Sequence, residues 1–256
     1  MKRIQAFEFN ERGECPKIIR ESIVEILGNG IRWGKLYDAA GVAFADFCRD
    51  SGTTQVLDLC SGSGQPVSVL IEVMERQGLK APEFLLSDLH PNVSAMESVA
   101  QRHQGNIKVI HESLDATNVP HVYDGMARTI ISAFHHFPPH LALSILKDCV
   151  EKRQAIFVLE AFPRNFRTAL SIVPALSFAF LAYPFISRQE RIKKLLNMPM
   201  VAMFGIWDII ISILRIHSED ELMAMGVSLG ANYRWSYQQV PYPPYGAAVI
   251  FSGIPQ

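Results

Sequence analysis

The stretch "VLDLCSGSGQPV", Val56–Val67, contains the features that decide the fold. An apolar run typical of a buried strand ends at Asp58, and Gly62 and Gly64 follow before a helical apolar pattern begins at Val67. Glycine permits positive φ and close approach of a ligand, and the first turn of a helix has unpaired N–H groups. The stretch therefore predicts a strand, a ligand-binding turn and a helix at the carboxyl edge of a doubly wound sheet.

Short apolar runs alternate with helical stretches from this point to residue 161. The predicted strands are 55–59, 83–87, 107–111, 127–134 and 155–161, and the predicted helices between them are 67–77, 93–102 and 139–152. Two later strands, 233–240 and 247–252, flank the turn "PYPPYG". This alternation predicts an α/β fold, a doubly wound, mostly parallel seven-stranded sheet with an antiparallel C-terminal hairpin. We expect one domain over residues 1–256, with N-terminal helices in residues 1–50.

A long apolar insertion, residues 162–217, interrupts the alternation and reads as helical. Its two apolar runs are joined by "SRQERIKK", which includes Arg188, Arg191, Lys193 and Lys194. Three interpretations remain open: a helical lid over a substrate, a subunit interface or core, and an element that lies on a membrane surface. Prolines and Asp208 disfavour a clean membrane span. A helix over 218–230 follows, with Ser218 and Glu221 at capping-box spacing.

Composition excludes several classes of function. The net charge of −1 over 256 residues gives no basic face for nucleic acid, so no nucleic-acid partner is expected. The four cysteines form no C-x-x-C pair, which argues against a disulfide framework and favours a reduced, cytoplasmic setting. The N-terminal residues lack the apolar core of a secretory signal. A peripheral membrane location and a homodimer remain open.

The glycine turn fits a dinucleotide poorly. A dinucleotide site requires G-x-G-x-x-G/A, but Val67 stands where the third small residue belongs. Asp58 also ends the strand close to the turn, where a carboxylate opposes a pyrophosphate. The turn therefore favours a cationic or amino-bearing ligand.

The pattern "VLDLCSGSG" resembles motif I of the class I S-adenosylmethionine-dependent methyltransferases, of the small-molecule or lipid type. Its acid and its three alternate glycine positions correspond to Asp58, Cys60, Gly62 and Gly64, with Cys60 replacing the first glycine. Further landmarks follow in order: "FLLSDLHPN", "IHESLDAT" and "TIISAFHHFPP". The resemblance covers residues 35–161 and 218–256.

The resemblance implies S-adenosyl-L-methionine as the cofactor. It implies that Asp88 binds the ribose hydroxyls, that Asp115 binds the adenine amino group, and that Asp58 anchors the turn and reaches towards the amino-acid end. The complete set of implied cofactor-binding residues is Asp58, Cys60, Ser61, Gly62, Gly64, Asp88, Leu89, Leu114, Asp115 and Phe134.

Three side chains are candidates for catalysis: His135, His136 and Glu160. A general base is needed only if the acceptor carries a proton, and histidine titrates near neutral pH. The alternative roles are to orient a loop, in the case of the histidines, and to cap a helix, in the case of Glu160. The histidines lack the spacing and the accompanying acids of a metal site, so no metal is expected.

The acceptor is expected to be a hydrophobic small molecule or a lipid-like metabolite. The sequence after the fourth strand reads "AFHHFPPH", without the N/D-P-P-Y/F signature of the amino-methylating branches of the family. A different class of function also remains open, in which the chain binds adenosylmethionine without transferring methyl, as a scaffold or partner module.

Overall fold

The architecture is a single seven-stranded sheet with helices around it. A computed structural model describes residues 1–11, 14–103, 105–186, 191–243 and 246–256, with side chains except those of 11, 33, 182–186, 191, 193 and 194. Within those residues the strand order is β3-β2-β1-β4-β5-β7-β6. The strands are β1 Gln55–Asp58, β2 Glu83–Leu86, β3 Ile107–Val109, β4 Ala127–Ile131, β5 Ile156–Glu160, β6 Tyr233–Tyr242 and β7 Gly246–Pro255.

The first five strands are parallel, and β7 is antiparallel to both β5 and β6. The predicted doubly wound sheet with an antiparallel C-terminal hairpin is therefore confirmed. Strand order reverses between β1 and β4, because β2 and β3 lie on one side of β1 and β4 and β5 on the other. The carboxyl ends of β1 and β4 flank the crevice in which such sheets bind their ligands.

The helices follow the sequence pattern closely. They are α1 Lys17–Trp33, α2 Asp38–Ser51, α3 Gln65–Arg76, α4 Val93–Arg102, α5 Pro139–Glu151, α6 Phe166–Ile186, α7 Arg191–Arg215 and α8 Glu219–Ser228. The predicted capping box is confirmed at α8: the Ser218 hydroxyl accepts from the Glu221 N–H, and the Glu221 carboxylate accepts from the Ser218 N–H. Short 3-10 turns occur at Phe9–Glu11, His121–Tyr123 and Phe134–His136.

The core covers both faces of the sheet. Every residue of β4 and β5 is buried, as expected for central parallel strands. On one face, Phe44 of α2 packs against Phe84 and Phe157, with ring centroids 5.7 and 5.0 Å apart. On the other face, Leu57 and Ile130 belong to a second cluster with residues of α5. The packing fixes the strands and hence the positions of their carboxyl ends.

The predicted extent of β4 was wrong. The sequence predicted a strand over 127–134, but β4 ends at Ile131 and a 3-10 turn covers Phe134–His136. Ser132 has φ 54°, a left-handed conformation that ends the strand. Its N–H donates to the Leu159 carbonyl at 2.7 Å, which holds this bend against β5. The bend redirects the chain so that the histidine pair lies at the end of the sheet.

The insertion folds as a helical hairpin of α6 and α7. It packs on α1 through a third apolar cluster that includes Ile19, Ile23, Phe180 and Ile209. A Cβ at Gly205 would lie 2.3 Å from the Phe180 ring, so the two helices approach closely there. Of the predicted basic residues, Arg188 and the side chains of Arg191, Lys193 and Lys194 lie outside the described residues.

Among the described residues, the stretch Leu195–Arg215 is long and apolar enough to cross a membrane, judged by length and composition. Its most apolar window has a mean hydropathy of 1.7 and is 39% buried inside the protein. Because the core helix of a soluble protein passes the same test, this property is weak support for a span.

Candidate functional site

The glycine turn is held by a buried acid. Asp58, at the end of β1, accepts from the Ser61 hydroxyl and from the Thr129 hydroxyl, each at 2.6 Å. Burial raises the pKa of Asp58 to about 7, although both hydrogen bonds act in the opposite direction. Because each carboxylate oxygen already has a donor, the Asp58 side chain ties the turn to β4, as the predicted anchoring role requires.

Three alternate residues of the turn adopt left-handed backbone conformations. The φ angles are 60° at Cys60, 55° at Gly62 and 76° at Gly64. A Cβ at Gly64 would lie 2.8 Å from Leu86 Cδ1, whereas a Cβ at Gly62 would meet open space. Gly64 is therefore needed for packing against β2, and Gly62 leaves its outer side accessible to a ligand.

Cys60 lies in a glycine position and is chemically protected. Burial, together with the charges of Asp88, Asp58 and Asp115, raises the pKa of its thiol. The thiol therefore stays protonated and is a poor nucleophile. The influence of all three acids on one thiol also shows that their carboxylates converge around this turn.

The other two acids are ordered by backbone contacts. Asp88 accepts from the N–H groups of Gly62 and His90, both at 2.9 Å. Asp115 is exposed and accepts from the Thr117 N–H at 2.8 Å and the Thr117 hydroxyl at 2.7 Å. These contacts hold both acids at the carboxyl ends of β2 and β3, on the same edge as the turn.

The remaining predicted cofactor residues lie around these acids. The Leu114 N–H donates to the Asp88 carbonyl at 3.0 Å, and the Leu114 side chain is buried. Leu89 is 48% exposed beside them, and Phe134 is buried in the 3-10 turn. The edge thus presents carboxylates with apolar neighbours, which suits a cationic ligand with hydroxyl and amino groups and opposes a pyrophosphate.

Two of the catalytic candidates form a buried pair. The His135 backbone N–H and its Nδ1 both contact the Glu160 carboxylate, each at 2.9 Å. Because a carboxylate only accepts, Nδ1 carries the hydrogen, and in the neutral imidazole Nε2 is the nitrogen that accepts a proton. Burial lowers the pKa of His135, but the Glu160 and Glu8 carboxylates more than offset this and raise it above its ordinary value. For Glu160 both effects have the opposite sign. Burial raises its pKa, but the interaction with His135 outweighs burial and lowers the pKa below its ordinary value.

Sequence reasoning missed a second acid on the other side of His135. Glu8 is 1% exposed, and its Oε1 lies 3.8 Å from His135 Nε2. The same oxygen accepts from Arg215 Nη1 at 3.2 Å and from the Ser212 hydroxyl at 2.9 Å. Arg215 Nη1 also lies 3.1 Å from His136 Nδ1, which brings the third catalytic candidate into the same cluster.

Residues 3–11, the N-terminal segment, carry Glu8 into this position. The Asp208 carboxylate accepts from the backbone N–H groups of Phe9 at 2.6 Å and Asn10 at 3.1 Å. The Arg3 guanidinium donates to the carbonyl groups of His135 and Phe137 at 3.2 and 2.9 Å. The segment therefore lies across the histidine pair, between α7 and the 3-10 turn Phe134–His136.

One signal could have predicted this arrangement. Asp208 and Arg215 are the two charged residues of the stretch 195–215 of α7, and both are buried. Buried charges need partners, so their presence predicts a polar segment that packs against α7. The sequence alone does not indicate which segment supplies those partners.

The Arg215 guanidinium lies against a group of three side chains of metal-ligand type. Glu8, His135 and His136 each offer a ligand atom, and these atoms lie within 4.8 Å of one another. The Arg215 guanidinium contacts both Glu8 and His136, and its positive charge opposes a second cation there. The chemistry of this cluster therefore favours proton transfer over metal ligation.

Tyr37 contacts the bend between β4 and the histidine pair. It is fully buried, and its hydroxyl lies 2.7 Å from the Ser132 hydroxyl. Burial raises the pKa of Tyr37, and the nearby Glu160 and Asp58 charges raise it further. Tyr37 stays neutral and braces the bend that follows β4. Sequence reasoning did not identify Tyr37 as a site residue.

Comparisons with known proteins agree on the fold. No family model and no curated protein matches the sequence. Among solved structures, the plantazolicin methyltransferase BpumL in complex with SAH superposes with a TM-score of 0.59 over 93% of this chain and 90% of that chain, at 10% identity. The chain has the class I methyltransferase fold.

Two further structures extend this result. The methyltransferase domain of bacterial-CtHen1-C matches 86% of this chain and 98% of its own length, with a TM-score of 0.51 and 12% identity. The O-methyltransferase NcsB1 from neocarzinostatin biosynthesis, in complex with SAH and 1,4-dihydroxy-2-naphthoic acid, matches 93% of this chain and 57% of its own length, with a TM-score of 0.52 and 14% identity. At such identities the methyltransferase fold is shared, and the individual site residues remain predictions.

Proposed function

We propose that this protein binds S-adenosyl-L-methionine and transfers its methyl group to a hydrophobic small molecule or lipid-like acceptor. The observation that carries the proposal is the juxtaposition of two features at one edge of the sheet. Asp58, Asp88 and Asp115 surround the glycine turn and come at or after the carboxyl ends of β1, β2 and β3. The buried Glu160–His135 pair lies at the carboxyl ends of β5 and β4.

The residues at the turn fit this cofactor. Asp88 and Asp115 offer carboxylate oxygens to hydroxyl and amino groups, and the outer side of Gly62 is open. Negative charge around Cys60 suits a ligand with a sulfonium and an ammonium group. When bound, the cofactor supplies a methyl group already activated for displacement. BpumL and NcsB1, which share the fold, were both crystallised with SAH.

His135 is the proposed general base. Glu160 holds the hydrogen on Nδ1, so that Nε2 accepts the proton that leaves the acceptor as its oxygen or nitrogen attacks the methyl carbon. The Glu160 carboxylate then stabilises the imidazolium that forms. The burial of the pair excludes water from the reacting atoms, which favours transfer to the acceptor over hydrolysis.

Two observations support a small, hydrophobic acceptor. Phe134 is buried next to His135, and the turn that carries both residues contacts α7, a helix of the apolar hairpin. Solved structures of the same fold include methyltransferases named for plantazolicin and for neocarzinostatin biosynthesis, both natural products. A hydroxyl or amino group on a hydrophobic molecule is the acceptor that this arrangement favours.

The cofactor proposal is tested by calorimetry with S-adenosylhomocysteine. We expect the wild-type protein to bind, and Asp88→Ala to weaken binding by about 10- to 100-fold, because charge-assisted hydrogen bonds to the ribose are lost. The matched control is Asp124→Ala, an exposed aspartate in the loop that precedes β4. Absence of binding to wild-type protein, or unchanged affinity in Asp88→Ala, would refute the proposal.

One observation favours the non-catalytic alternative. Glu8 lies against His135 Nε2, the nitrogen that a base would use. Labelled methyl transfer from adenosylmethionine into a cell extract separates the two functions. A labelled product that disappears with His135→Asn supports catalysis, whereas adenosylhomocysteine binding without any labelled product supports a scaffold.

A further inference from the structure

The outer face of the α6–α7 hairpin is apolar along its length. On α7 the exposed large apolar side chains recur at intervals of three and four residues: Ile192, Leu195, Leu196, Met200, Met203, Trp207 and Ile210. On α6 they are Phe166, Leu170, Phe178 and Leu181. Ile192, Leu196 and Phe178 are 79%, 77% and 74% exposed, so they contribute almost nothing to the core. We call these eleven side chains the apolar face.

The opposite side of the hairpin already forms a core. Val201, Ile209 and Ile213 are buried against α1, as an ordinary surface helix buries one stripe. A surface helix then normally presents polar residues outward. Here the sequence from 195 to 214 contains one charged residue, Asp208, and that residue is buried. An exposed apolar face of this extent marks an interaction surface.

The apolar face is continuous with the segment that covers the histidine pair. The rings of Phe7 and Trp207 lie 5.8 Å apart, and the Trp207 indole N–H donates to the Phe7 carbonyl at 3.0 Å. Phe9 stacks on Phe204 with ring centroids 4.0 Å apart. Glu8, between these two phenylalanines, reaches His135. The N-terminal segment therefore connects the apolar face to the proposed base.

The charge of the sequence next to the apolar face indicates which kind of partner the face binds. The sequence "SRQERIKK" at 187–194, which begins after α6 and includes the first residues of α7, has four basic residues and one acid, hence a net charge of +3. Basic residues next to an apolar helical face match the combination of acyl chains and anionic headgroups at a bilayer surface. A second copy of the chain would cover the apolar face but would bring the same positive charge to it.

We propose that the apolar face docks on the surface of an anionic lipid bilayer. The hairpin lies in the interface with its apolar side chains inserted among the acyl chains, and the positive charge of the sequence 187–194 attracts the anionic headgroups. The N-terminal segment then adjoins the lipid, so that an amphiphilic acceptor reaches His135 from the bilayer; this last step rests on the proposed function.

The test is flotation of the full chain with vesicles. We expect the protein to float with mixed phosphatidylcholine and phosphatidylglycerol vesicles, more weakly at high salt, and less with phosphatidylcholine alone. The triple variant Phe178→Ser, Ile192→Ser, Leu196→Ser should reduce bound protein by at least about tenfold, because three large apolar side chains no longer enter the lipid. Val122→Ser, Val227→Ser is the matched control, since these valines are 77% and 67% exposed elsewhere.

Adenosylhomocysteine affinity, measured in each variant, separates this inference from the proposed function and reports whether the variant folds. Three results would overturn the docking proposal. One is a wild-type protein that does not float with the mixed vesicles. Another is a triple variant that floats as well as wild type. The third is a dimer in solution that ignores vesicles and dissociates in the triple variant.

Discussion

At the scale of single residues, Cys60 shows how a side chain can occupy a glycine position. The sequence identified it as a substitute in the glycine motif, and its φ of 60° fits that interpretation. The left-handed region costs a non-glycine residue about 1–2 kcal/mol, and the cost is greatest for β-branched residues. The thiol is small and unbranched, so the turn tolerates it.

Substitutions at Cys60 test this explanation. We expect Cys60→Gly to change the free energy of unfolding by less than about 1 kcal/mol, because relief of strain and the greater freedom of the unfolded chain offset each other. Cys60→Val should destabilise the protein by more than about 2 kcal/mol. Urea denaturation measures both. Equal stabilities for the two variants would contradict the role of backbone conformation.

The Glu160 carboxylate should set the titration of His135. Its removal in Glu160→Gln leaves the burial that lowers the pKa and only the smaller effect of Glu8 against it, so the pKa of His135 should fall from its raised value. The charged imidazolium would then form only at a lower pH than in the wild type. NMR titration of the imidazole, assigned with His135→Asn, measures the change.

Glu97→Gln provides the matched control for that titration. Glu97 pairs with His111 at 2.8 Å on the surface, so the same substitution removes a carboxylate from a different, exposed histidine. The His135 titration should be unaffected by it. An unchanged His135 pKa in Glu160→Gln would show that the pair does not tune the base.

The positions of His135 and Glu160 were easier to predict than those of the other polar residues around the proposed base. His135 and Glu160 follow neighbouring strands, so the α/β pattern alone puts them at one edge of the sheet. Glu8, Arg215 and Tyr37 escaped prediction because their positions depend on contacts between distant parts of the chain. Glu8 and Arg215, for example, are 207 residues apart. Local periodicity carries no information about such pairs.

At the scale of structural elements, the N-terminal segment depends on α7. Asp208 receives two backbone hydrogen bonds from Phe9 and Asn10, and it is 1% exposed. The charged carboxylate makes those bonds stronger than neutral ones. The segment makes few other regular backbone contacts, among them the Ile4 N–H bond to the Leu214 carbonyl.

Asp208→Asn should therefore loosen the segment without unfolding the sheet. We expect the amides of Phe9 and Asn10 to exchange with deuterium at least about tenfold faster, while the β4 and β5 amides keep their protection. Hydrogen exchange followed by mass spectrometry measures this. Asp220→Asn, an exposed acid in the first turn of α8, is the control. Uniform loss of protection would show that Asp208 supports the whole fold instead.

Helices and strands were predictable where their residues pack locally. Strands β1 and β5 are apolar on both sides because both faces are covered, and the sequence shows this directly. The end of β4 was not predictable, because the left-handed Ser132 is held by Leu159 and Tyr37 from other elements. The docking of the hairpin on α1 was also missed, since α6 is apolar around most of its circumference.

At the scale of the whole molecule, the fold contains an ion cluster far from the proposed site. Arg128, at the start of β4, is fully buried and contacts the Asp148 carboxylate at 2.7 Å and the Gln154 side chain at 2.9 Å. Lys152 pairs with the same carboxylate at 2.6 Å. The cluster joins β4 to α5 and to the turn before β5.

Asp148→Asn should destabilise the protein by about 3–5 kcal/mol, because it leaves the Arg128 charge buried without an anionic partner. Asp50→Asn, which breaks the exposed Asp50–Arg234 pair, should cost less than about 1 kcal/mol. Denaturant unfolding measures both, and adenosylhomocysteine affinity should be equal in the two folded variants. Similar stability losses would contradict the distinction between buried and exposed ion pairs.

The overall architecture was the most predictable level. The order of apolar runs and helices specifies a parallel sheet, and the hairpin at the C-terminus completes the seven strands. The packing of the insertion on α1 is a long-range contact. The pattern of residues along the sequence does not predict it. It depends on shape, such as the close approach of Gly205 to Phe180.

The contact between Glu8 and Arg215 has a consequence for the order of synthesis. Glu8 is synthesised 207 residues before Arg215, so Glu8 waits for its partner until α7 has emerged. During that interval the strands up to β5 can already pair, while His135 still lacks its covering segment. The buried cluster around His135 is therefore completed only after the sheet edge that carries the glycine turn has been synthesised.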